Sequence, residues 1–251
     1  MADITSSSGA LDSTPAKSFP SRFIGVFIEP GETFEDIARK PDWIAPLAVV
    51  ILASFAVVET MLLKIGATQI VLQSLQSSGR AASMDAAQLS QMAERPAAIM
   101  RIAMPAGALV GVPVFLLIAA GFGLLVLNGF FGRHARFKDV FSVACYANLP
   151  SILGALMAIA VMLLGDADTF NPRSPAPTNP GFFMNPLTTS HVVFALATSL
   201  DFVVFWFMVL LAIGLSRVVQ KKVKTSTIFL IFLGAWVLLT AAKVGFALIS
   251  S

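Results

Sequence analysis

Charge is scarce in this chain. Only 12% of its 251 residues are Asp, Glu, Lys or Arg, while 57% are hydrophobic. A soluble domain carries roughly 25% charged residues to cover its surface. Half that share excludes a soluble globular protein, a disordered chain and a coiled coil, and it points to a polytopic membrane protein. Cysteine is nearly absent. Cys145 stands alone, so no internal disulfide or cysteine metal cluster can form. The two histidines, His134 and His191, have no second ligand at metal spacing. The chain has no phosphate loop, nucleophile elbow or continuous basic stripe. An ATPase, a hydrolase, a cofactor or metal site and nucleic-acid binding are therefore not expected.

What the chain does have is long apolar runs. Five are long enough to cross about 30 Å of hydrocarbon: residues 44–63, 102–127, 140–164, 192–215 and 228–249. Lipid leaves backbone groups no outside partner, so these are predicted helices, and none shows the alternation of a β-barrel. The expected fold is all-α with five spans. Eleven Lys and Arg residues fall on the side of the N-terminus and five on the other. This places the N-terminus in the cytoplasm and the C-terminus on the outer side. Residues 1–20 are polar and read as a disordered tail.

Residues 21–43 form the most patterned stretch outside the spans. Phe34, Ile37 and Ala38 repeat at helical spacing after Pro30-Gly31. They predict a short amphipathic helix, lying either at the interface or packed on the loops. On the outer side, Gln69–Gln76 and Met84–Arg95 predict a helical hairpin, with Ser83 as cap and Pro96 as stop. The proline-rich stretch 165–190 predicts a non-helical loop.

Three charges fall inside spans: Glu59, Asp201 and Lys243. From the outer helix ends, Glu59 and Lys243 lie about 7–9 Å deep and Asp201 about 14 Å deep. A charge there needs a partner, so Lys243 is expected to pair with Asp201, Glu59 or both. The trio reads as a register-fixing ion cluster, or else as a proton or cation site. Gly107 and Gly111 form a GxxxG pair, expected to face the inside of the bundle rather than a second copy. Pro150 is expected to kink span three, with Asn148 satisfying the freed carbonyl.

The stretch from Phe131 to Pro150 resembles the Yip1 domain family. Gly132, Phe137, Lys138, Tyr146, Ala147 and Pro150 are the matching residues. Two further stretches agree in order: Pro30-Gly31-Glu32-Thr33-Phe34 with Pro41-Asp42-Trp43, and Trp206 with Ile213-Gly214-Leu215. The resemblance implies a five-helix membrane protein that is not an enzyme. Eukaryotic members act in vesicle traffic with small GTPases, and some bacterial members are encoded with export-type ABC transporters. The alanine-rich chain reads as bacterial, in the inner (cytoplasmic) membrane. The resulting expectation is an accessory subunit or scaffold that contacts lipids and other membrane proteins, ABC-type exporter subunits among them, or a second copy of itself. The rival is a small transporter or channel using the three buried charges.

Overall fold

The apolar runs fold as helices because an α-helix satisfies its own backbone groups where lipid cannot. The computed structural model describes residues 17–77, 84–166 and 170–249, and all regular structure among them is helical. In chain order the α-helices are α1 (Phe19–Ile28), α2 (Pro30–Arg39), α3 (Ile44–Lys64), α4 (Ala67–Ser77), α5 (Ala86–Leu124), α6 (Phe137–Ala147), α7 (Ser151–Leu164), α8 (His191–Ser199), α9 (Phe202–Val218) and α10 (Thr225–Ile249). A π-helical turn, Leu125–Phe130, extends α5. Four continuous stretches are long and apolar enough to span: α3, α5 with its π turn, α6 with α7, and α10. The expected fourth span is divided into the pair α8 and α9, bent by 40° and apolar enough to cross when taken together, so the described residues hold four spans, or five with the bent pair counted as one.

Three expectations are corrected here. The tail predicted over residues 1–20 lies mostly outside the described residues, but Phe19 and Pro20 already belong to α1. Ser83 also lies outside them. The cap observed for α5 is Asp85, whose carboxylate accepts from the Gln88 amide while the Gln88 side chain accepts from the Asp85 amide. Finally, α5 does not stop near Pro96. It runs through Pro96, Pro105 and Pro113, because a proline removes one donor and need not end a helix whose flank is packed. Ala93 and Ala97 are buried in one cluster with Ala67 and Val71 of α4. With its π turn the helix is about 65 Å long, twice the hydrocarbon thickness, and its first part packs on α4.

The N-terminal segment belongs to the core. Helices α1 and α2 fold back on each other around Glu29, and α2 packs on α9 and α6. Val26, Phe34 and Ile37 are fully buried in the same cluster as Leu116, Tyr146 and Leu211. Where the sequence offered the interface or the loops as the seat of residues 21–43, the structure packs α2 on helices α6 and α9. Gly25 permits the close approach, since a Cβ there would collide with Thr33 Oγ1. Gly214 does the same on α9, where a Cβ would lie 2.8 Å from Phe34 Cδ1 and against Val143.

Adding a side chain at this contact should loosen the hairpin. Gly214→Val is expected to cost about 1–3 kcal/mol by overpacking. It should lower the unfolding midpoint in detergent and speed proteolysis within residues 19–42. Gly234→Val, at a position with nothing within 4 Å, should change neither.

Candidate functional site

An apolar helix with one charged residue in its buried face needs a partner for that charge. In α1 that residue is Arg22, which is 1% exposed. Its Nε donates to Asp36 Oδ2 at 2.8 Å and its Nη1 to Asp42 Oδ2 at 2.9 Å. Nη2 donates to the Lys40 carbonyl at 3.0 Å and to the Asp36 carbonyl at 3.4 Å. One guanidinium thereby joins α1, the end of α2 and the turn that leads into α3. The planar fork of arginine suits this multidentate role, and a lysine could not reproduce it.

Tyr146, at the end of α6, completes the site. Its hydroxyl lies 3.2 Å from both carboxylate oxygens of Asp42 and donates to that carboxylate. Its ring lies 5.9 Å from the Arg22 guanidinium carbon, a cation–π distance. Phe19 also packs against the ring, with centroids 6.3 Å apart. Burial works against the charge on Arg22, but contacts with Tyr146 and Asp36 outweigh it and hold its pKa above the ordinary value. Asp36 is equally enclosed and takes a second, longer contact from Arg39 at 3.7 Å. Asp42 differs, with its side chain 48% exposed. The hub thus has a sealed half and a half open to solvent. Every guanidinium nitrogen is engaged, so the arrangement works as a clamp.

The resemblance pointed to Tyr146, and the structure supplies its partners. The other motif residues lie along the same helix and its turn. The Phe137 ring stacks on Phe141 at 5.5 Å, and Phe141 in turn meets Trp43 at 5.6 Å. Lys138 is exposed and contributes its carbonyl to the Ser142 hydroxyl. Pro150 does more than kink the span. Helix α6 ends at Ala147 and α7 begins at Ser151. The carbonyl freed by Pro150, that of Tyr146, accepts from the Leu149 amide, and the Asn148 side chain takes no part in this.

The three intramembrane charges do not meet. Asp201 sits in the break between α8 and α9 and caps α9 by accepting from the Val203 amide at 2.8 Å. Thr178 and Asn179 of the proline-rich loop donate to its other oxygen at 2.6 and 3.1 Å. Lys243 donates to the hydroxyls of Thr198 and Ser199, each at 3.0 Å. Glu59 lies on α3, which packs on α5 and α7, whereas α10 packs on α8 and α9. The expected ion pairing is therefore corrected. Loop donors reach Asp201 before the lysine does, and the hydroxyls of α8 take the ammonium.

Gly107 and Gly111 also depart from expectation. A Cβ at either would meet nothing within 4 Å. They face outward, while Leu116, Ala120 and Gly123 turn toward the core.

The Yip1 domain profile matches residues 24–244. The chain belongs to the Yip1 family. It is an integral membrane protein, and the family is not a known enzyme family. No curated relative and no solved structure matches it. The matched stretch begins two residues after Arg22, so family likeness alone would not single out the centre of the hub. A signal was nevertheless present. Arg22 and Val26, four residues apart, share one face of an apolar helix, whereas Asp36, two residues from Phe34, lies away from the apolar stripe of the next helix and gave no such signal.

Removing one partner of a buried pair strands the other, at a cost of about 3–5 kcal/mol. Arg22→Met should therefore lower the unfolding midpoint far more than Asp42→Asn, whose carboxylate is half in solvent. Arg22→Met combined with Asp36→Leu should recover part of the loss. Tyr146→Phe should cost about 1.5 kcal/mol, as expected for one hydrogen bond to a charged group.

Proposed function

We propose that this Yip1-family protein is a non-enzymatic accessory subunit or scaffold of a membrane complex, with an export-type ABC transporter as the leading partner. The supporting observation is an unpartnered stripe on α5. Gly107, Gly111, Val114, Ile118, Gly121 and Leu125 are all exposed and follow one another at alternating steps of four and three. That spacing keeps them on one side of a helix and lets a second apolar helix approach closely. Association between helices in lipid depends on this kind of close packing, since tails and side chains are equally apolar.

The proposed setting is the bacterial inner membrane, with the Arg22 hub at its cytoplasmic side. The excess of Lys and Arg at that end supports the orientation. Conduction through the three charges has no geometric support, because Glu59, Asp201 and Lys243 share no site.

Gly107→Ile with Gly111→Ile should block the stripe and leave the core intact. Membranes of the source cell, crosslinked through a cysteine at position 114, should yield a heteromeric adduct that the double substitution abolishes. The unfolding midpoint should not change. Recovery of only the lone chain would overturn the proposal.

A further inference from the structure

The loop joining α5 to α6 and the turn joining α9 to α10 emerge together at the end of the bundle that holds the Arg22 hub. The Phe122 ring on α5 meets the Phe232 ring on α10 edge to face, with centroids 5.0 Å apart. Nearer the helix ends, Nη2 of Arg133 reaches the Lys222 carbonyl at 3.5 Å. Each connection is also tied down by itself. The Asn128 side chain clips the loop, accepting from the Ala135 amide at 2.8 Å and donating to the Ala135 carbonyl at 3.0 Å. In the turn, the Lys221 amide donates to the Ser216 carbonyl at 2.7 Å, and the Ser216 hydroxyl donates to the Val223 carbonyl at 2.8 Å.

The backbone of this turn is strained. Gln220 and Lys221 have φ of 54° and 60°, in the left-handed region where a Cβ is crowded and glycine is favoured. A side chain kept at such a position points to a demand on the side chain itself. Membrane insertion does not supply that demand, because orientation depends on how many Lys and Arg a loop carries and not on their backbone conformation. The Lys221 side chain is exposed, as are those of Lys222 and Lys224.

The platform carries positive charge without an answering acid. Residues 131–138 and 217–224 contain no Asp or Glu. Among the described residues Arg133, Lys138, Lys221, Lys222 and Lys224 form no ion pair, whereas Arg136 is held by Asp139 and Arg217 by Glu35. The border toward the bilayer is apolar. Leu125 and Leu230 are both exposed, and they lie about 9 Å deeper along α5 and α10 than the ends of the two connections.

We propose that this platform docks anionic phospholipid headgroups of the adjoining leaflet, with Lys221, Lys222 and Lys224 as the principal contacts and Arg133 beside them. The order of groups is that of a lipid in this leaflet, with charge at the helix ends and acyl chains running inward past Leu125 and Leu230. A cluster of cations at the membrane surface attracts such lipids. An acidic protein segment would match the charge but has no use for the apolar border.

The test uses the full chain in neutral detergent, titrated with phosphatidylglycerol or phosphatidylcholine and read by native mass spectrometry. Phosphatidylglycerol should bind more tightly, and the preference should shrink as salt is added. Lys221→Gly should weaken phosphatidylglycerol roughly fivefold, as expected for one cation near the membrane surface, while the unfolding midpoint stays the same or rises because the strain is relieved. Lys221→Gly with Lys222→Gln and Lys224→Gln should remove the preference. Lys64→Gln with Arg95→Gln, at the opposite end, should leave it unchanged. Equal binding of the two lipids would overturn the proposal. So would full phosphatidylglycerol affinity in Lys221→Gly, which decides the matter if the triple variant does not fold. Displacement of phosphatidylglycerol by a hexaglutamate peptide that binds more tightly would assign the platform to an acidic protein and overturn it as well.

Discussion

The rest of the structure depends on a guanidinium placed where water cannot reach it. Arg22 would be a heavy liability in an apolar helix if left alone, because desolvating a charge costs far more than one contact returns. Its environment answers with two carboxylates, two carbonyls and an aromatic face. The partners come from the end of α2, the turn before α3 and the end of α6. The charge can be buried only when all of these segments are in place. It therefore makes the N-terminal hairpin and the start of two spans one cooperative unit, and the apolar contacts of Phe34 and Ile37 add stability without the same directionality.

A similar logic operates at the other end on a smaller scale. Asp201 interrupts an apolar run, and its carboxylate is satisfied by a helix cap and by two loop side chains. The span breaks there because capping a new helix supplies the anion with an amide donor. The proline-rich loop is drawn down beside the break, and the Phe202 amide donates to the Thr178 carbonyl. Lys243 is then left with hydroxyl partners. Both ends show the same constraint: polar groups within the bundle decide where chain segments lie, and the apolar surface fills the space between.

Much of this was legible in the sequence. Apolar runs of about twenty residues have one stable form in lipid, so the helical class and four of the span positions follow directly. Tyr146 and Pro150 were visible through family likeness. The break at Asp201 was not, because a run from Val192 to Leu215 reads as continuous when hydropathy is averaged. The length of α5 was hidden for the opposite reason, since Pro96 is a stop signal that tertiary packing overrode. The charge partners were misassigned because depth alone ranks candidates by height, while neighbours around the bundle are set by which helices touch. Gly107 and Gly111 were placed inward for the same reason. A small-residue spacing marks a packing face but carries no information about which way it points.

The central claim is that the hairpin of residues 19–42 is an integral part of the fold, held by Arg22. Amide hydrogen exchange of the intact protein in detergent or nanodiscs tests it most directly. The account predicts that amides of α1 and α2 exchange as slowly as those of α9 and open together with α6. If α1 and α2 exchanged rapidly while α6 and α9 remained protected, the hairpin would be a loosely attached appendage and the claim would fail.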